Sequence, residues 1–206
     1  MSDLLGTPVR DLQTPVLLID LDVMEENLNK MSLNFQNSSM NFRPHSKTHK
    51  SPLIAKKQIE MGAIGICCQK VSEAEVMQQG GIENILLSSE IVSPVKLERV
   101  SSLSNNCDLM IVVDHIQGAE LLSNVMQKNE TDIGVLVDID VGQGRCGVRT
   151  VDEAVSLAKK IDELPSINLC GFQAYNGKAQ HIEGFYEREK EYRNSITLME
   201  ESVYEF

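Results

Sequence analysis

The sequence predicts an α/β fold on a parallel sheet, and three observations predict it. Short apolar runs alternate with longer amphipathic ones along nearly the whole chain. The runs are apolar throughout rather than alternating with polar residues, which marks strands buried on both faces. The stretches between runs are long enough for helical crossovers, the connections that parallel strands require.

Taken in order, PVLLIDLD (Pro15 to Asp22) is a first apolar run, and VMEENLNKMSLNFQ continues as a helix. MNFRPH reads as a strand and SPLIAKKQIEMG as a helix, with Pro52 in its first turn and Gly62 at its end. AIGICCQ is the next strand. VSEAEVMQQGG is the next helix, with Ser72 and Glu75 spaced as a capping box. NILLSSE, LMIVVD, IGVLVDIDV and LCGFQAY are further strands, and helices begin at about Pro94, Ile116 and Val151. A last long helix fills Glu183 to Phe206. From Met40 onward this makes about six βα units, enough for a doubly wound sheet but too few to close an eight-stranded barrel. No Ser/Gly-rich linker divides residues 1–206, so they are read as one domain.

Composition narrows the class. A formal charge of -11 argues against nucleic acid as a partner, because neutralising phosphates needs a basic surface. No window approaches the ~18 continuous apolar residues of a membrane helix. MSDLLGTPVRDLQTP lacks the basic flank and apolar stretch of a signal peptide. The five cysteines are odd in number and form no C-x-x-C pair. That favours reduced thiols in the cytoplasm over a disulfide framework or a zinc cluster.

Functional groups in α/β folds collect beyond the carboxyl ends of the strands. Those positions hold His45, Lys47 and His49, then Gln69 and Lys70, then Glu90 and Asp114. Asp138, Asp140 and Arg145 follow, and then Gln173, Tyr175, Asn176 and His181. Gly142, Gly144 and Gly147 match a G-x-G-x-x-G phosphate turn. They follow the fifth run, however, rather than the first strand that a dinucleotide site expects. In FRPHSKTHKSP, a lysine at the end of a buried strand would be desolvated, which favours the neutral amine of Schiff-base chemistry. Lys47 is the candidate, and Lys50 is read as solvated. His45 and His49 flank Lys47 at two residues on either side, on the same face if the segment is extended.

The blocks TPVLLIDLD, RPHSKTHKSP, GAIGICCQKVSEAEVM, VDIDVGQGRCGVR and GFQAYNGKAQH, in this order, resemble the D-threonine aldolase family. That family includes D-3-hydroxyaspartate aldolases and eukaryotic D-serine dehydratases, and is distantly related to the N-terminal domain of alanine racemase. The resemblance implies a (β/α)8 TIM-type barrel binding pyridoxal 5'-phosphate, present here as an incomplete barrel. It implies Lys47 as the Schiff-base lysine and Arg145 as the partner of the cofactor's phenolic oxygen. Tyr175 would reach the pyridine nitrogen, and His181 would lie near the substrate as a general base. His45 and Gln69 join the cofactor-binding set. The substrate implied is a small D-amino acid.

The family also implies a C-terminal β domain with a divalent metal site and a homodimer, and no H-x-C or H-x-D motif follows residue 181. The expectation is therefore retro-aldol cleavage of a D-3-hydroxy amino acid by the whole protein, with little activity in these 206 residues alone. D-serine dehydration, amino-acid racemisation and a non-catalytic pyridoxal phosphate-binding module are the alternatives.

Overall fold

The computed structural model describes residues 4–206, which fall into two units divided between residues 41 and 42. In the first, a short 3-10 turn at Val9–Asp11 precedes helix α1 (Leu21–Gln36). The predicted apolar run at Pro15 to Asp22 is not a strand. Leu21 and Asp22 already belong to α1, and Val16 to Ile19 lie exposed without a ladder partner among the described residues. Asp20 explains the change of state. Its carboxylate accepts the Val23 N–H at 3.1 Å, which satisfies an orphan donor and starts the helix there.

The second unit is a layer of helices on a parallel sheet. Its elements are α2 (Pro52–Glu60), β1 (Ile66–Cys68), α3 (Val71–Gln79), β2 (Asn84–Leu87), α4 (Pro94–Ser104) and β3 (Asp108–Val113). They continue with α5 (Ile116–Lys128), β4 (Ile133–Ile139), α6 (Val151–Asp162), β5 (Ile167–Ala174) and α7 (Phe185–Glu205). All four strand pairings are parallel, and the order is β1-β2-β3-β4-β5. A doubly wound sheet reverses its order at a switch point; this one never does, so it is the progressive winding of a TIM-type barrel. The helices follow in step, α3 packing on α4, α4 on α5, α5 on α6 and α6 on α7.

Five strands are present where six were expected. The sixth, predicted over MNFRPH, is reduced to a few backbone bonds between Phe42 and Ser46. Phe42 and Pro44 carbonyls accept from Ile64 N–H (2.9 Å) and Cys67 N–H (2.8 Å), and Ser46 N–H donates to Cys67 C=O (2.8 Å). Pro44 has no N–H to give, so the ladder shrinks to the His45–Cys67 bridge.

Helix starts at Pro94, Ile116 and Val151 are as predicted, and α7 lies within its predicted span. The capping box in α3 is shifted. Glu73, not Glu75, reaches back to accept the Gln69 and Lys70 N–H groups at 2.9 and 3.2 Å. Glu75 instead holds Arg99 through two bonds of 2.8 and 2.5 Å.

The core lies between sheet and helices, where Ile66, Ile85, Ile111 and Val135 meet Met77, Leu97, Leu122 and Ile161. Ile111 on the central strand is 1% exposed. Ile111→Ala is expected to cost ~2–5 kcal/mol, the transfer free energy plus an unfilled cavity. A urea midpoint unchanged from the parent would contradict this placement.

Candidate active site

The carboxyl ends of β1 to β5 carry the polar groups, so the site is built from the residues that follow each strand. After the His45 bridge the chain tightens: His49 and Lys50 N–H both donate to Ser46 C=O, at 3.2 and 2.8 Å. The turn breaks the alternation an extended segment would give. His49 therefore does not flank Lys47 as predicted; its Nδ1 accepts the Ser51 N–H (3.0 Å) at the start of α2. Lys50, at φ 52°, is not simply solvated but pairs with Glu73 at 3.2 Å. Lys47 is exposed rather than dry, because the turn lifts its side chain past the last sheet bond.

Lys47 and Arg145 come together over one ring. Lys47 Nζ lies 5.9 Å from the Tyr175 ring centroid and Arg145 Cζ lies 5.1 Å from it. Both are within the range where a cation is attracted to a ring face. Residues about a hundred apart in sequence, from the turn before β1 and the loop after β4, thus meet at a tyrosine just past β5. Gly177 makes room: a Cβ there would lie 2.7 Å from the Tyr175 hydroxyl.

Two other predicted residues sit beside this triad. His45 Nδ1 accepts the Lys47 N–H (3.3 Å), and His45 Nε2 lies 3.2 Å from Ser88 Oγ. Burial first, and the Lys47 charge second, hold the His45 imidazole below its usual pKa. Gln69 donates from Nε2 to Ser89 Oγ, which donates back to Gln69 C=O at 2.7 Å. His181 is separate. It ends the 3-10 turn Ala179–His181, is exposed, and bonds to none of Lys47, Arg145 or Tyr175.

The glycine turn does not cradle a phosphate here. The Gly142 and Gly144 N–H groups point inward to Asp140 Oδ1, at 3.1 and 2.9 Å, so a side chain of the loop itself fills the nest. What the turn does is aim Arg145.

Beside the triad is an acidic group of which the strand-end reading named Glu90 and Asp114, but not Cys146. Glu90, Asp114 and Cys146 each place one donor atom within 4.8 Å of the others, the only three-donor group of this kind among the described residues. Asp138, 4% exposed, accepts from Gln173 Nε2 at 2.8 Å. Burial pushes its pKa up to about 7. Hydrogen bonding to Glu90 and the charges of Glu90 and Asp114 add to the rise, and the Gln173 bond opposes it. The folded protein thus keeps a proton that the unfolded chain releases from about pH 4 upward. The contribution of Asp138 to stability falls as pH rises toward about 7 and levels off above it. Asp138→Asn is expected to remove that slope, so the variant gains on the parent between about pH 4 and pH 7. Urea midpoints measured across the range give the comparison, and parallel curves would disprove it.

Residues 19–202 match the family model described as "Alanine racemase, N-terminal domain". The chain belongs to this family. Within the alanine racemase N-terminal family, it is 38% identical over 200 residues to a 3-hydroxy-D-aspartate aldolase of Paracoccus denitrificans (strain Pd 1222). That alignment covers 96% of this chain and 52% of the relative. It is 40% identical to a D-threonine aldolase of Arthrobacter sp over 94% of this chain and 51% of that protein. The crystal structure of D-threonine aldolase from Filomicrobium marinum superposes with a TM-score of 0.93 at 38% identity, over 95% of this chain and 53% of that one. The chain therefore spans about half the length of these relatives, and what is shared is the N-terminal, TIM-barrel-like domain.

Proposed function

We propose that this chain is the pyridoxal phosphate-binding part of a lyase that cleaves D-3-hydroxy amino acids to glycine and an aldehyde. The observation that carries the reading is the convergence of Lys47 and Arg145 on Tyr175, in a chain 38–40% identical to such aldolases. The donor set fits the cofactor: a primary amine for its aldehyde, a permanent cation for its phenolate and a phenol for its ring nitrogen. When bound, the cofactor supplies the electron sink for breaking Cα–Cβ.

The chain's own groups do the rest. Lys47 holds the amine at the mouth of the sheet, and Arg145, charged at every working pH, steadies an oxyanion. Tyr175 offers its phenol hydroxyl as a hydrogen-bond donor to the ring nitrogen. His45 and Gln69, tied to the loop after β2 by Ser88 and Ser89, shape the wall next to Lys47. His181 Nε2 or Nδ1 takes the proton from the substrate's β-hydroxyl. A cytoplasmic homodimer acting on a small D-amino acid, without nucleic acid or membrane, completes the reading. The cysteines are free, and no helix among the described residues is long and apolar enough to cross a membrane.

The test is product analysis of the whole protein with pyridoxal phosphate, a divalent cation and D-threonine or D-3-hydroxyaspartate. Glycine plus aldehyde is expected. Ammonia plus a keto acid would make it a dehydratase, inversion without cleavage a racemase, and cofactor binding without turnover a binding module. Within the proposed reaction, His181→Ala is expected to lower turnover ~10²-fold or more while Lys47 still reacts with the cofactor. Turnover within a factor of about two of the parent would take the general-base role from His181.

A further inference from the structure

Lys47 sits on a turn, so something must hold the turn. Its own N–H is taken by His45 Nδ1 at 3.3 Å. A ring nitrogen that accepts carries no proton, so in the neutral ring the proton is on Nε2. Nε2 lies 3.2 Å from Ser88 Oγ, to which it donates. Ser88 O–H in turn donates to Cys68 C=O at 3.2 Å, beside the backbone bond from Ser88 N–H to the same carbonyl at 2.9 Å. Every donor in this line points the same way, from the Lys47 amide through the imidazole and Ser88 to the Cys68 carbonyl at the end of β1. His45 is also pinned at its backbone by the bridge to Cys67. A ring held at backbone and at both nitrogens has little freedom left to lose when a ligand arrives.

We propose that Ser88, acting through the Nε2–H tautomer of His45, is the positioning residue that sets the Lys47 turn and so aims its amine at the cofactor. This rests on Lys47 being the cofactor lysine. Ser88 makes no hydrogen bond to Lys47 itself; it acts through the imidazole. The alternative is that the serine merely fills space at the end of β2. That role would survive loss of the hydroxyl and would be disturbed by an added methyl. Positioning behaves the other way round.

The experiment uses the full protein with Ser88→Ala, Ser88→Thr, His45→Ala and His45→Asn, and has two readouts. The first is the ¹⁵N chemical shifts of the His45 ring without cofactor. The parent and Ser88→Thr are expected to show the Nε2–H neutral tautomer at neutral pH, and Ser88→Ala a mixture. The second is the rate at which Lys47 acquires a pyridoxyl label from pyridoxal phosphate and borohydride. Ser88→Ala and His45→Ala are expected to slow it about five- to tenfold, the factor of roughly one lost hydrogen bond. Ser88→Thr restores the rate, and so does His45→Asn, whose side-chain oxygen can replace Nδ1 as acceptor. An Nδ1–H tautomer in the parent overturns the proposal, as does Ser88→Ala with parental tautomer and rate. Should Lys47 take no label in the parent, the cofactor assignment falls instead. The ring shifts then report separately on whether the relay exists.

Discussion

Lys47→Ala is expected to abolish pyridoxyl labelling of the site after borohydride reduction, and Lys50→Ala to leave it at the parental level. Two lysines three residues apart would look interchangeable on a solvated turn, but this turn gives them opposite surroundings. Lys50 faces Glu73, whose side chain is only 10% exposed and which also accepts two backbone N–H groups. An amine tied to that carboxylate is occupied and is a poor candidate for attack on an aldehyde. Lys47 has no carboxylate partner among the described residues. Its neighbours are the Tyr175 ring and the Arg145 guanidinium that shares that ring. Its amine is therefore not tied to a carboxylate and can approach an aldehyde over that ring. Peptide mapping of the reduced protein decides the matter. Label on Lys50, or equal label on both lysines, would remove Lys47 from its proposed role and with it the arrangement built around Tyr175.

Most of the sheet was legible because its signals are local. Pro52 and Pro94 mark helix starts through their own fixed φ, and continuous apolar runs mark buried strands whatever their neighbours. Where the reading failed, a non-local or competing partner decided. The apolar run at Val16 to Ile19 has strand composition, but a strand exists only with a ladder, and Asp20 turns the next residues into helix. Glu73 and Glu75 both suit a cap by spacing; Arg99, two dozen residues on, claims Glu75. At the site, the strand-end rule put Lys47, Arg145 and Tyr175 among the candidates, and their meeting became visible only with the strands in register. The dry environment expected for Lys47 failed for a geometric reason, since Ser46 closes a turn just past the sheet. Ser88 was passed over because a serine after a strand carries no signal until its partner, His45, is seen 43 positions away.

Gly147→Ala is expected to be the most damaging small substitution at the site, and the other two glycines of the same turn show why. Gly142, Gly144 and Gly147 have φ of 107°, 70° and 104°, so each substitution carries a conformational cost of ~1–2 kcal/mol. At Gly142 and Gly144 that is nearly the whole cost, because a Cβ would have no neighbour within 4 Å. At Gly147 a Cβ would lie 2.4 Å from Asp140 N and 2.6 Å from Ile139 C. Both are backbone atoms at the end of β4, fixed by the pairing of Asp140 N–H with Val148 C=O (2.9 Å) and of Val148 N–H with Asp138 C=O (3.0 Å). Neither can move without opening that pairing, and Arg145 lies two residues away on the same turn. Gly147→Ala is therefore expected to lose roughly 3 kcal/mol or more and to weaken pyridoxyl labelling of Lys47. Gly142→Ala should lose about 1–2 kcal/mol and label normally. Urea midpoints and labelling of the two variants side by side separate a requirement for close approach from one for backbone freedom alone. Equal losses in both would mean that the turn does not rest on β4 as described.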